Sequence, residues 1–172
     1  MPVLDQDFAW RETFRHGWLS HFHQTGKINW DLYVRPQNQT SIAGMGVDLK
    51  SSRLMLISSA GGYLPDSQQP FHADDPLGDY SIRVLPHDTA LEHISYAHDH
   101  FDHTAVKLDP QVLLPLDHLR EMVVNGEIGA LSDVVSFMGY QPDVSRLIDE
   151  TIPAIVDMAV SNEVNCALLV PA

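Results

Sequence analysis

At 172 residues, 44% of them hydrophobic and 19% charged, the chain has the composition of a soluble globular protein and the length for one substantial core. Ten Lys and Arg face 23 Asp and Glu, and the resulting formal charge of −13 excludes nucleic acid or an anionic membrane surface as the expected partner. One cysteine, Cys166, permits neither an internal disulfide nor a cysteine-cluster metal site. No apolar run approaches the roughly 20 residues that cross a bilayer, and residues 1–7 lack a basic, hydrophobic signal layout, so the expected location is the cytoplasm.

Residues 8–24 read as a helix, because Phe14, Trp18 and Phe22 recur every four residues on one face and Gly26 ends the pattern. His16, His21 and His23 read as surface histidines of that helix. Residues 28–33 are expected to dock in extended form, and residues 35–41 make a polar linker, so an N-terminal helical and extended segment at 1–45 precedes a domain at 46–172. Residues 53–59 are a short apolar run closed by Ala60-Gly61-Gly62, the pattern of a buried strand leaving a parallel sheet at its carboxyl end. Gly61 and Gly62 let the backbone approach a ligand and are candidate ligand-binding positions; the alternative is a tight strand exit. Neither a P-loop nor a dinucleotide fingerprint is present.

Residues 65–80, rich in Asp, Pro and Gln, are a loop; residues 81–86 are a second strand, and His87-Asp88 after it is a candidate additional ligand or proton donor. Residues 116–125 read as a helix with Leu116, Leu119, Met122 and Val123 as its core stripe and Gly126 as its stop. Residues 134–140 are another buried strand with a glycine exit, and Tyr140 is a further ligand-binding candidate. Asp143 caps a helix with a broad apolar face, in which Pro153 predicts a kink, and residues 164–170 form the last strand. The alternation predicts an α/β three-layer sandwich with a largely parallel, flavodoxin-like sheet and an N-terminal helical segment. Ligands collect beyond the carboxyl ends of such strands, so Gly61-Gly62, His87-Asp88, Gly139-Tyr140 and Pro171-Ala172 are expected around one cleft.

Residues 92–103 hold four of the ten histidines and three carboxylates. In an extended chain His98, His100 and Asp102 share one face, and His103 turns toward the same centre. Neutral imidazoles bind iron, zinc, copper or nickel, while an adjacent carboxylate binds the ion, orients a ring or acts as a base. His98, His100 and His103 are therefore the candidate metal ligands, and Asp99, Asp102 and His87 the candidate catalytic groups. The bland alternative is a polar strand end whose histidines are solvated or paired with Asp99 and Asp102. The letters His-x-His-x-Asp-His also open the metal site of metallo-β-lactamase-type hydrolases. Such folds need later ligand histidines in glycine-rich loops, whereas only His118, within a helix, follows here.

Several runs together carry a family resemblance: residues 54–62, Arg83-Val84-Leu85-Pro86, His98-Asp99-His100-Phe101-Asp102, residues 114–121, Phe137-Met138-Gly139-Tyr140 and Leu168-Leu169-Val170-Pro171. Over residues 50–172 the chain resembles the selenoprotein B family of glycine, sarcosine, betaine and D-proline reductases. The resemblance implies reductive cleavage of a carbon–nitrogen bond, with the activating selenocysteine or cysteine just after a strand like residues 164–171. The sequence ends there, and Cys166, midway along an apolar strand, has the setting of an inert core thiol. His103 stands where the family's run more often has a hydroxyl residue, adding a third imidazole.

The expected function is thus an oxidoreductase-like enzyme of this family, acting on a small amino-acid-like substrate with a transition metal in place of the selenol. The alternatives are a non-catalytic ligand-binding or partner subunit of a reductase-type complex, a metal-dependent hydrolase, and metal-free acid–base catalysis by a His–Asp pair. An open edge at the last strand favours a homo-oligomer or a complex.

Overall fold

The structure, a computed structural model, describes residues 4–38, 46–97 and 101–172. Two compact units divide the chain, Met1–Gly46 and Val47–Ala172. Among the described residues no helix is long and apolar enough to cross a membrane.

In the first unit, α1 (Asp7–Phe14) passes through a π-helical turn (Arg15–Leu19) into α2 (Ser20–Thr25), which Gly26 closes at φ 65°. Trp10, Phe14, Trp18 and Phe22 stack successively, their ring centroids 5.0, 5.2 and 6.2 Å apart. A strict four-residue spacing drifts around a helix of 3.6 residues per turn; the wider π turn takes up that drift and keeps the rings in line. Residues 30–32 form a 3-10 turn rather than the expected extended run, because the Asn29 side chain accepts from the Asp31 N–H. That turn brings Tyr33 edge-on against Phe14 and Trp18.

The second unit is built on β1 (Arg53–Ser58), which pairs in parallel with β7 (Cys166–Val170) along its whole length. Its other edge is shared by β5 (Ala130–Leu131) and β6 (Val134–Phe137), both parallel to it. Arg53 pairs with Ala130 but Ile57 with Val135, so one extra residue is inserted at Ser132-Asp133 and the line is broken by a bulge. An antiparallel strand, β3 (Ile82–Leu85), closes the far side, giving the order β3–β6–β1–β7. A small antiparallel ladder, β2 (Gly62–Tyr63) with β4 (Ser95–Tyr96), stands beside this sheet.

Alternate side chains of β1 enter two cores. Leu54 and Leu56 pack with Leu116 and Leu119 of α4 (Leu116–Val124), while Met55 and Ile57 meet Ile155, Met158 and Ala159 of α6 (Ile152–Ser161). Helices thus cover both faces in three layers, and burial on both sides is why β1 is a continuous apolar run. Between β4 and α4 lies α3 (Thr104–Leu108), and α5 (Val144–Arg146) begins where the Asp143 carboxylate accepts the Ser145 and Arg146 N–H groups. The kink expected at Pro153 takes the form of a π turn, Leu147–Thr151, which leaves the proline in the first turn of α6 where its missing N–H is tolerated.

The loop before β3 is stitched to the α5 entry. The Gln141 amide donates to Asp79 O at 2.7 Å, the Thr151 hydroxyl to Tyr80 O at 2.7 Å, and the Asp143 N–H to the Tyr80 hydroxyl at 2.7 Å. Gly78 sits at φ 76°, and a Cβ there would lie 2.0 Å from Tyr140 O. Replacing Gly78 with Ala is therefore expected to destabilise the domain by about 3 kcal/mol, read as a lower urea midpoint at unchanged slope.

Asp79 is buried (8% exposed), and burial alone would raise its pKa. Hydrogen bonds from the Ser81 hydroxyl and the His72 and Ser81 N–H groups, with the Arg83 charge, outweigh that and hold it below its ordinary value of 3.8. A depressed carboxylate contributes stability that is present above its unfolded pKa and is lost as pH falls through the folded one. Asp79→Asn should flatten the fall in thermal midpoint below about pH 4, measured against wild type.

Candidate functional site

Three strand exits converge at the carboxyl end of the parallel strands. The Ser59 N–H donates to Val170 O at 3.2 Å, Gly61 N–H to Phe137 O at 2.9 Å, and Gly139 N–H to Ser59 O at 2.9 Å. Ala60 and Met138 form an antiparallel bridge, and the Ala172 N–H donates to the Ser59 hydroxyl at 2.9 Å. Gly61, at φ 66°, turns the chain out of the sheet so that Gly62 can pair with Tyr96 across the β2–β4 ladder. Gly61, Gly62 and Tyr140 therefore belong to one end of the domain. Burial raises the Tyr140 pKa there.

The histidine-rich stretch is tied to this end from both sides. On one flank the Ala97 N–H donates to Gly61 O at 3.0 Å. On the other, Phe101 packs against the cluster of Ala60, Val106 and Leu113. His98, Asp99 and His100 lie outside the described residues. His103 stacks on Phe101 with centroids 4.5 Å apart. Asp102 accepts the Thr104 N–H at 2.8 Å and hydroxyl at 2.7 Å, and these bonds lower its pKa. These bonds close the turn that leads into α3. Among the described residues no group of three or more His, Cys, Asp or Glu is placed to hold a metal ion.

Beneath the turn the structure adds residues that spacing did not single out. The Ser136 hydroxyl is fully buried without a hydrogen-bond partner and would lie 3.4 Å from a Cβ on Gly62. The Tyr96 hydroxyl is also buried and unpartnered, and desolvation pushes it up to about 12. Tyr96 stands inside the histidine-rich stretch, where its two-residue strand was too short to leave a periodic signal.

His87 does not join this site. Because β3 is antiparallel, with Leu85 opposite Val134, its exit points to the end where β1 begins. There His87 pairs with Asp133 at 3.3 Å, and its carbonyl is held by Arg120, in a pocket lined also by Arg53, Asp88 and Leu131. Of the four strand exits expected around one cleft, three share an end of the sheet, and His87-Asp88 lies at the opposite end. Cys166 is also at that opposite end, paired with Leu54 and packed on the α4-side core, as an inert thiol would be.

Because the Asp102 carboxylate accepts both the Thr104 N–H and hydroxyl, Asp102→Ala should speed amide exchange across Thr104–Leu108 by roughly fivefold or more, whereas Asp102→Asn, which keeps an acceptor oxygen, should leave it near wild type.

The profile of the glycine/sarcosine/betaine reductase selenoprotein B family matches residues 28–146. The D-proline reductase subunit gamma of Acetoanaerobium sticklandii is 28% identical over 123 residues, which is 71% of this chain and 49% of that protein. The chain thus spans about half the length of the curated relative it matches. No solved structure matches. On the family match, which takes in β1, the glycine turn, the histidine-rich stretch and β6, the chain belongs to the glycine/sarcosine/betaine reductase selenoprotein B family.

Proposed function

We propose that the chain serves a reductase of this family as a subunit that holds a small amino-acid-like substrate at the carboxyl end of its parallel strands. In this reading the His98-Asp99-His100 run supplies the groups that bind the substrate or handle its protons. The observation that carries it is the placement of the residues on either side of that run: Ala97 is bonded to Gly61 and Phe101 is packed on Ala60, both at the glycine exit of β1. Open α/β sheets place ligands at such exits. The similarity to a D-proline reductase subunit supports both a role within an assembly and the class of substrate to test first.

The experiment is calorimetric titration of the chain with D-proline, glycine, sarcosine and betaine, comparing wild type with a His98→Ala, His100→Ala variant. Saturable binding of at least one compound, weakened by about tenfold or more in the variant, is expected. Absence of binding to all four, or affinity unchanged by the substitutions, would remove this reading.

A finer form of the proposal puts a transition ion, iron, zinc, copper or nickel, on His98, His100 and His103. Its support is His103, which stacks on the same Phe101 that anchors the run. Two or three imidazoles with a carboxylate nearby leave coordination positions open to substrate or water. Elemental analysis of protein purified without an affinity tag should find one such metal near stoichiometry in wild type and none in the His98→Ala, His100→Ala, His103→Ala variant. Metal-free wild type would end the metal form and leave the binding test standing. A zinc-loaded protein that hydrolyses rather than reduces would instead favour the hydrolase alternative.

A further inference from the structure

Arg83 stands on β3 opposite Ser136, with a side chain only 15% exposed. An arginine so far out of water needs acceptors for its fork of N–H groups. It finds them on two arms of the preceding loop. Nε donates to Gln69 O at 2.9 Å and Nη2 to Pro70 O at 3.2 Å, while Nη1 donates to the Ser81 hydroxyl at 2.7 Å and to Ile82 O at 3.1 Å. Its Cζ lies over the ring of buried Phe71, 4.3 Å from the centroid, and Nη2 is 3.9 Å from the Asp79 carboxylate. One side chain thus staples the start of residues 69–82 to their end.

The loop closed in this way braces the exit of β6. Gly78 backs so closely onto Tyr140 that a Cβ would lie 2.0 Å from the Tyr140 carbonyl oxygen. Asp79 O accepts the Gln141 side-chain amide at 2.7 Å, and the Tyr80 hydroxyl accepts the Asp143 N–H at 2.7 Å. Three consecutive loop residues therefore meet three residues of the segment 140–143. Just before that segment, the Gly139 N–H donates to Ser59 O at 2.9 Å. The β6 exit is held between the β1 exit and the loop, and the two arms of that loop are joined through Arg83.

We infer that Arg83 is a positioning residue for the candidate site: by closing residues 69–82 it sets where the β6 exit, with Tyr140, stands beside the glycine exit of β1. For what this placement serves, the inference rests on the proposal that substrate is held at this end. Lysine cannot perform the same task. Its ammonium is a point charge with three N–H groups on a flexible stem, without the flat face that covers Phe71 or the fork that reaches both arms.

The test is hydrogen exchange of the full chain without ligand, on wild type, Arg83→Lys and Arg83→Ala. The alanine variant is also measured with about 50 mM guanidinium chloride or sodium chloride, a concentration too low to unfold a domain. At the Gly139 and Asp143 amides exchange is expected to quicken about tenfold or more in both variants, while the β1 amides keep wild-type rates. Guanidinium, and not sodium, should slow the alanine variant toward wild type by occupying the slot over Phe71. Quickening confined to residues 69–82, quickening that reaches β1 equally, a lysine variant that matches wild type, or guanidinium acting no better than sodium would overturn the inference. Whichever of D-proline, glycine, sarcosine and betaine binds wild type should bind Arg83→Lys at least about fivefold more weakly, and unchanged affinity would also overturn it. If none of the four binds, the substrate reading fails, and the exchange pattern still decides whether Arg83 positions the β6 exit.

Discussion

The second unit depends on β1 being buried on both faces and paired along both edges. Its side chains alternate between the α4 core and the α6 core, so no polar residue is tolerated between Leu54 and Ile57. Fixing this strand places β7 on one side and the broken β5–β6 line on the other. Gly129, just before β5, shows how close the approach is: a Cβ there would sit 2.8 Å from the carbonyls of Lys50 and Ser52. The strand exits at the carboxyl end inherit their position from this one strand.

The strand exits meet where β1 stops. A strand buried on both sides must satisfy its last backbone groups as it leaves the sheet, and Ser59 and Gly61 do so by bonding to the exits of β6 and β7. That obligation draws the Phe137–Tyr140 and Val170–Ala172 segments to the same place. The left-handed turn at Gly61 then exposes one more acceptor, the Gly61 carbonyl, which Ala97 occupies. Ala97 is therefore held at the strand exits by backbone bonding, and Phe101 by packing on Ala60.

The bulge at Ser132-Asp133 has a consequence at the other end of the sheet. It leaves Asp133 free to accept the His87 N–H at 3.2 Å and to face the His87 ring, while Arg120 grips the His87 and Thr89 carbonyls. These contacts hold the turn after β3 in place. The aromatic column of the first unit makes a similar point: Trp18, fully buried, is kept in line by a local change of helix type.

Much of this was legible in the amino-acid sequence because its causes are local. The apolar run of β1 and its Gly61-Gly62 exit, the aromatic spacing of Phe14, Trp18 and Phe22, the stops at Gly26 and Gly126, and the Asp143 cap each depend on residues a few positions apart. Tertiary structure alone decided the direction of β3, which sends His87 away from the site, since strand direction follows from pairing with β6 some 50 residues later and leaves no local pattern. It also decided that Tyr96, Phe101 and Ser136 gather under the glycine turn, because a two-residue ladder and a packed aromatic ring draw their stability from partners distant in sequence. The chain's order of residues named the groups suited to chemistry; long-range backbone pairing determined which of them share an end of the sheet.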